Sequence, residues 1–515
     1  MRLDRPGIAR LGLVLGPTLA LAAWLLLPAA QETADPSLGA APVALDAAGR
    51  ATAAVALWMA VWWLTEAVPL AATALLPVVL FPLLGIADMG AATAPYANPL
   101  IFLFLGGFLL GLAVQRVGLH RRISLWVLLR VGTSPSGLIG GFMLASALLS
   151  MWISNTATAI MMLPIGVSVL RLLEEQGGAD PLQARGGPLR QDFGAALLLG
   201  IAYACSIGGT GTLVGSPPNL VLAAFMREHY AIDLGMVSWF SIGLPLVAVL
   251  LPLTWWYLTR IAFKVPTSAL GCGRSLLSDE WARLGPMNRA ERTVLAVFAL
   301  TALGWLLRPQ LVAWTGLQGL TDASIAMIGA LCLFVIPIRR ITPGSQHHVH
   351  RALDWNTAKN LPWEILILFG GGLSLAAAVA GNGVDAFIAA GLVGLAGLPA
   401  WVLVLAVTAL VVFLTEITSN TAVTTTLMPV LAATAVATGA PPGLLLTATA
   451  LAASCAFMLP VATPPNAIVF ASGQVGIAQM ARAGLGLNLI AIVVVTAVVM
   501  LGAPADRSIG LDLWR

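Results

Sequence analysis

The chain has 515 residues, of which 59% are hydrophobic and only 9% charged, with a formal net charge of +4 and a mean hydropathy of +0.93. A soluble protein carries roughly a quarter charged residues, so this composition excludes one and points to an integral membrane protein whose apolar runs match bilayer spans. The Lys and Arg residues are scattered singly or in pairs, which excludes a nucleic-acid partner. The four cysteines (Cys205, Cys272, Cys332, Cys455) lack metal-ligand or redox spacing and read as small apolar residues.

Arg2, Arg5 and Arg10 precede an apolar run over 10–28 that ends at Pro28-Ala29-Ala30. It reads as a first transmembrane helix, with a cleaved signal sequence as the alternative. Residues 1–50 are thus an N-terminal span and outer loop. Spans are predicted at 51–68, 69–86 and 98–115. An apolar pair over about 134–172 breaks at Ser154-Asn155-Thr156 and reads as a re-entrant helical hairpin, entering and leaving on one side. The long stretch over about 192–226 is interrupted by Gly and Pro and reads as a broken helix; a span at 238–262 follows. Residues 51–264 form one unit, and 265–292 a polar cytoplasmic linker with a short helix around Leu276–Leu284.

The second unit, 293–502, repeats the order. Spans are predicted at 293–311, 322–338 and 362–381, a hairpin at 396–438 broken at Ser419-Asn420-Thr421, a broken helix at 443–473 and a span at 484–502. Segment 343–360, with His347, His348, His350 and Trp355, looks like an interfacial amphipathic helix, and its histidines lack the other ligand types of a metal site. Residues 503–515 are an outer tail.

Charge orients this scheme. With the N-terminus inside, all Lys and Arg except Arg50, Arg227, Arg308, Arg507 and Arg515 fall in cytoplasmic segments. Reading either hairpin as a full crossing would put the basic loops after it on the wrong side. The positive-inside rule therefore favours eleven crossings in a cell inner membrane, N-terminus cytoplasmic and C-terminus outside.

The two units share motifs. Ser-Asn-Thr recurs at an offset of 265 (419 − 154), as does Phe104-Leu105-Gly106-Gly107 in Phe369-Gly370-Gly371-Gly372, and Ser216-Pro217-Pro218-Asn219 reappears as Thr463-Pro464-Pro465-Asn466. An odd number of spans per unit makes the two units opposite in orientation. The expected fold is an all-α polytopic membrane protein: two inverted five-span repeats after one N-terminal span, with two re-entrant hairpins and two broken helices. Secondary transporters use inverted repeats with the binding site at their interface.

Polar groups inside hydrocarbon cost free energy unless paired, so the repeated tripeptides, each preceded four residues earlier by a hydroxyl (Ser150, Thr415), mark a paired binding site. At each hairpin tip the first arm leaves carbonyls without helical partners and the second leaves N–H groups. The carbonyls, with Ser and Asn oxygens, suit a small hard cation such as Na⁺; the N–H groups, at the positive helix end, suit an anion. In the broken helix, Gly208-Gly209-Thr210-Gly211 permits close backbone approach and Pro-Pro-Asn prevents regular hydrogen bonding, so freed carbonyls are expected to complete a cation cage. Residues 145–170, 198–222, 410–430 and 450–472 contain no Lys, Arg or His. An anionic substrate there needs bound cations to compensate it. Glu416, the single acid in those windows, is a candidate proton or cation site or a hydrogen-bonding residue within the hairpin; Glu66 reads as structural, in a cytoplasmic turn.

Five segments resemble the divalent-anion/sodium symporter family, carriers of dicarboxylates, citrate or sulfate: WWLTEAVPLAATALLP at 62–77, SNTATAIMMLP at 154–164, SIGGTGTLVGSPPN at 206–219, TEITSNTAVTTTLMP at 415–429 and MLPVATPPNAIVF at 458–470. The resemblance implies a scaffold domain, a transport domain that moves as an elevator, and a homodimer. It implies one sodium site at Ser150, Ser154, Asn155 and Gly209 and a second at Thr415, Ser419, Asn420 and Ala462. The substrate carboxylates would meet Asn155, Thr156, Thr210, Asn420, Thr421 and Pro464. Sodium-coupled symport of a C4-dicarboxylate (succinate, malate or fumarate) is the expected activity, with Na⁺ as coupling ion. The competing readings are a sodium-independent dicarboxylate exchanger and a citrate or sulfate carrier. An enzyme is not expected, because no histidine lies in the paired motif, and a passive channel fits poorly with inverted halves and broken helices.

Overall fold

The computed structural model describes residues 5–28, 44–131, 134–176, 188–265, 273–338, 350–392, 394 and 397–505. Apart from a two-residue antiparallel pairing of Pro337–Ile338 with His350–Arg351, its regular structure is helical. Within a membrane the helix satisfies every backbone group internally, so long apolar segments take that form. Among the described residues eight helices are long and apolar enough to cross: Gly7–Leu26, Ala47–Thr65, Met89–Val117, Gln191–Gly209, Met236–Ala262, Trp363–Gly381, Asn420–Thr438 and Ile477–Gly502. Arg289–Leu306 and Arg308–Thr315, bent by 75° at their junction, pass the same test only when taken together, as a broken span or a re-entrant loop. Burial grades these helices: 89% of the Gln191–Gly209 window is enclosed by protein against 17% of Gly7–Leu26, so the former is the centre and the latter the rim.

The two hairpins follow from local punctuation. Ser134 accepts from the Gly137 N–H and Pro135 opens the first arm, Pro135–Ser150, a combination that favours a helix start. The chain turns over 151–154 and returns as Asn155–Gln176. The second hairpin has arms Ala400–Thr415 and Asn420–Thr438 around 416–419. At 16 residues, each first arm is roughly 24 Å long, short of the ~30 Å hydrocarbon thickness. The return arm Asn420–Thr438 is by itself long enough to cross. The broken helices run Pro188–Gly209 then Pro217–Tyr230, and Pro442–Ala453 then Pro464–Ala471.

Three segments differ from expectation. Residues 69–86 form two short helices, Leu70–Thr73 and Leu76–Leu83, instead of one span; Pro77 donates no N–H, so the Thr73 carbonyl lacks its helical partner where the first helix ends. The span expected at 322–338 is the 14-residue helix Asp322–Val335. The interfacial helix expected at 343–360 is absent over its described part, where His350–Arg351 pairs as a strand and only Trp355–Ala358 is helical, started by Asp354 capping the Thr357 N–H; His347 and His348 lie outside the described residues. The linker helix runs Gly273–Leu284.

The Gly-Gly helices bind the halves together. Helix Pro99–Val117 lays Gly106 against Ala326, where a Cβ would come within 2.7 Å of the Ala326 Cβ. Helix Trp363–Gly381 lays Gly371 against the Ala74 backbone with no room for a Cβ. Helix Pro99–Val117 thus packs on Asp322–Val335, and helix Trp363–Gly381 on the chain just after Leu70–Thr73. On the face carrying the basic loops, Arg122 bonds the Glu291 carboxylate twice at 3.2 Å and the Gly285 carbonyl at 3.0 Å. Glu291 also closes a capping box with Asn288. This pins helix Leu119–Val131 to the linker.

Candidate functional site

The two Ser-Asn-Thr turns adopt matching hydrogen bonds. Ser150 Oγ lies 2.5 Å from Asn155 Oδ1 and 2.7 Å from the Cys205 carbonyl. Thr415 Oγ1 lies 2.6 Å from Asn420 Oδ1 and 3.1 Å from the Ala453 carbonyl. A hydroxyl has a single proton, so it cannot give both acceptors a full hydrogen bond. Each turn therefore gathers three oxygens around a single hydrogen, an electron-rich cluster that favours a hard cation. Gly209 sits beside the first cluster, where a Cβ would meet Asn155 Oδ1 at 2.5 Å and the Gly215 carbonyl at 3.0 Å. The absence of a side chain is what admits backbone oxygen here. The ligands on offer are neutral oxygens, and no group of three His, Cys, Asp or Glu occurs among the described residues. Such a set suits Na⁺ rather than a transition metal.

Both turns open into one cavity of about 1280 Å³. Its wall contains Ser154, Asn155, Thr156, Ser419, Asn420, Thr421, Ala462 and Pro464. Ser150, Gly209, Thr210 and Thr415 lie behind this wall. Thr210 is fully buried, its hydroxyl donating to the Ile207 carbonyl (2.7 Å) and its own carbonyl accepting from Trp239 Nε1 (2.8 Å). Gly215 and Ser216 face the cavity from that stretch instead.

Four helices begin at the cavity, at Asn155, Pro217, Asn420 and Pro464. Two of them start Pro-Pro and so lack the first N–H donors. The free donors therefore belong to the hairpin helices, and Ser419 makes no side-chain cap on the second. All four macrodipoles still favour an anion. No Lys, Arg or His is among the described lining residues; the charged ones are Glu66 and Glu364, both exposed.

Some carbonyls expected to be free at the breaks are already used. Asn219 Nδ2 donates to the carbonyls of Gly209 (3.0 Å) and Thr212 (2.7 Å), and Asn466 Nδ2 to those of Ala456 (3.2 Å) and Leu459 (3.1 Å). Both asparagines reach ten and seven residues back, so each clamps its own break. Glu416 bonds outside its hairpin, to the second break and to Asn488. Asn488 was not among the residues singled out in the sequence, although a lone amide within the last apolar helix is a signal of the same kind as the tripeptides.

The model of the sodium:sulfate symporter transmembrane region family matches residues 37–504. The chain is 40% identical over 507 residues to the sodium-dependent dicarboxylate transporter SdcS of Staphylococcus saprophyticus, covering 98% of this chain and 93% of that protein. It is 39% identical over 504 residues to SdcS of Staphylococcus aureus, covering 98% and 92%. The crystal structure of the YdaH transporter of Alcanivorax borkumensis is similar in fold, with a TM-score of 0.56 at 14% identity over 98% of this chain and all of that one. The chain belongs to the sodium:sulfate symporter transmembrane family.

Proposed function

We propose that this protein is a sodium-coupled symporter of C4-dicarboxylates, with one Na⁺ at Ser150, Ser154, Asn155 and Gly209 and a second at Thr415, Ser419, Asn420 and Ala462. The observation that carries the reading is one cavity receiving both Ser-Asn-Thr turns, with no basic side chain among its described lining residues. A helix N-terminus is worth ~0.3–1 kcal/mol to an anion, and up to ~2 in partly buried geometry. Desolvating each charge of a dianion costs several kcal/mol. The four termini at the cavity together supply roughly 1–4 kcal/mol in ordinary geometry, less than the desolvation of two charges, and two cations adjoining the cavity make up the difference. The full names of the SdcS relatives, sodium-dependent dicarboxylate transporters, support both the ion and the substrate class.

In this mechanism Asn155 and Asn420 each serve two ligands. Their side-chain oxygens face the cation clusters, while their backbone N–H groups and those of Thr156 and Thr421 face the cavity and take the carboxylates. Thr210 acts through the buried wall, by fixing the first break, and Pro464 shapes the opposite wall. Each bound Na⁺ places positive charge within a turn of the substrate, so either ligand raises the affinity for the other.

The two units are read as inverted repeats, supported by the matched turns, the matched asparagine clamps and the reciprocal glycine contacts. Residues 1–50, 51–264, 265–292, 293–502 and 503–515 are the corresponding segments. The hairpins and broken helices form a transport domain that slides as an elevator against a scaffold containing the Gly-Gly helices, in a homodimer, as the sequence resemblance implies. The hairpins are re-entrant on this reading. The cavity wall includes Gln115 and Asn360, neighbours of the basic Arg116 and Lys359, which under the positive-inside rule puts this part of the wall toward the cytoplasmic face, in a plasma-membrane protein with its N-terminus inside. Competition tests the substrate class: unlabelled succinate, malate and fumarate should each suppress labelled succinate uptake in proteoliposomes, and suppression by sulfate or citrate alone would reject the assignment.

A further inference from the structure

We propose that Glu416 is the positioning residue of the second sodium site, holding the second helix break in the shape its carbonyl ligands require. The proposal rests on the sodium-coupled reading above. Glu416 follows Thr415 directly, is 3% exposed, and sits at the tip of the second hairpin. Its Oε1 accepts the N–H groups of Phe457 (2.7 Å) and Met458 (2.8 Å) and the amide of Asn488 (2.7 Å); its Oε2 accepts the N–H of Leu459 (2.9 Å). Three consecutive backbone donors converge on one carboxylate. That is the geometry of an anion nest, filled here by a side chain from a neighbouring element.

The first half does without such a residue, and composition explains the difference. At the offset of 265, Glu416 corresponds to Met151. The first break is rich in glycine and turns two of the matching N–H groups back on itself, Thr210 to the Ile207 carbonyl (3.1 Å) and Gly211 to the Gly208 carbonyl (2.9 Å). The corresponding stretch of the second break, Ala456-Phe457-Met458-Leu459, contains no glycine. Its donors point outward and need an external acceptor, because a buried N–H left unpaired is costly. Glu416 supplies that acceptor.

The consequence falls on the second site. The Ala453 carbonyl accepts from Thr415, the Ala456 and Leu459 carbonyls are held by Asn466, and the Ala462 N–H bonds back to the Leu459 carbonyl. The backbone from Ala453 to Ala462 therefore hangs between two clamps, Glu416 on its N–H side and Asn466 on its carbonyl side. Without the first clamp the break closes on itself and moves the Ala453 and Ala462 backbone away from Asn420. The first site, built on Ser150, Asn155 and Gly209, makes none of these bonds.

The test is the Na⁺-dependent rise in melting temperature of the purified full-length protein, with choline chloride holding ionic strength constant. The wild type should be stabilised by Na⁺ in a cooperative response. In Glu416→Gln and Glu416→Asp the half-maximal Na⁺ concentration should rise at least about tenfold, since buried donors lose their partners, and the Hill slope should fall toward one as the second site drops out. Glu416→Asp keeps the charge and loses the reach, so it separates position from charge. A wild-type Na⁺ response in Glu416→Asp would overturn the proposal even if Glu416→Gln were impaired. A wild type indifferent to Na⁺ would overturn the sodium reading, and this proposal with it. Hydrogen exchange on the wild type tests the nest without any variant: the Phe457, Met458 and Leu459 amides should exchange as slowly as those of the flanking helices, and fast exchange would overturn it.

Discussion

The rings of Phe104 and Phe369 pack against each other with centroids 4.8 Å apart and planes at 59°. Their positions differ by 265 (369 − 104), the offset that relates the two Ser-Asn-Thr turns. Two residues related by an approximate two-fold can touch only where the axis passes between them. On the inverted-repeat reading, this contact marks the axis. Both rings are buried, so Phe104→Ala and Phe369→Ala should each destabilise by about 3–5 kcal/mol, with similar losses of melting temperature. The double variant should lose less than the two losses combined, because the residues share a contact. Grossly unequal single effects would count against the axis.

On the proposed reading, ion and substrate converge on Asn155 and Asn420. Asn155→Ala and Asn420→Ala remove an oxygen from each cluster and leave the Ser150 or Thr415 hydroxyl one acceptor, so the fold should tolerate the change. Labelled succinate uptake should fall by at least about a hundredfold, the equivalent of ~2.7 kcal/mol, while size-exclusion profiles stay those of the wild type. Substantial residual uptake in either variant would remove that asparagine from the site.

The Arg122–Glu291 pair is buried, with side-chain exposures of 9% and 5%, and joins helix Leu119–Val131 to the start of helix Arg289–Leu306. Removing one partner strands the other charge, which costs about 3–5 kcal/mol. Arg122→Met and Glu291→Leu should each lower the melting temperature sharply, and the double variant should recover part of the loss. Two independent, additive losses would mean that the charges do not act as a pair.

Asp354, outside the membrane-spanning segments, has its carboxyl held below the usual carboxylate range, chiefly by the Thr357 N–H, and also by the Thr357 hydroxyl and Arg116. Its depressed folded value means that the stabilisation is complete above the ordinary carboxylate pKa of about 3.9 and is lost as pH falls through the lower folded value. Exchange of the Thr357 amide should therefore be protected at neutral and mildly acidic pH and lose that protection only under stronger acid. Asp354→Asn should abolish this dependence, and unchanged protection in strong acid would show that the carboxylate does not hold the turn.

The turns and breaks were legible because polar residues and prolines are costly in hydrocarbon and therefore conspicuous there. Helix ends at Ser150, Thr415, Gly209 and Ala453 fall within the stretches read as interrupted. Less legible was which of the named residues lie behind the cavity wall. Thr210 lies in a glycine run whose irregular backbone has no periodicity, so nothing local indicated that its hydroxyl turns inward to Ile207. The carbonyls held by Asn219 and Asn466 looked free because a side-chain clamp is a tertiary feature. Glu416 was conspicuous as a charge, but its partners lie 41 to 72 residues away, beyond any local pattern. Residues 69–86 matched a span in hydropathy and length, and the break before Pro77 overrode both.

Coupling to sodium is tested most directly by labelled succinate uptake into proteoliposomes loaded with choline, with and without an inward Na⁺ gradient. Concentrative uptake should appear only with the gradient and collapse when a sodium ionophore dissipates it. Equal uptake without Na⁺, driven by dicarboxylate trapped inside, would contradict symport and identify an exchanger.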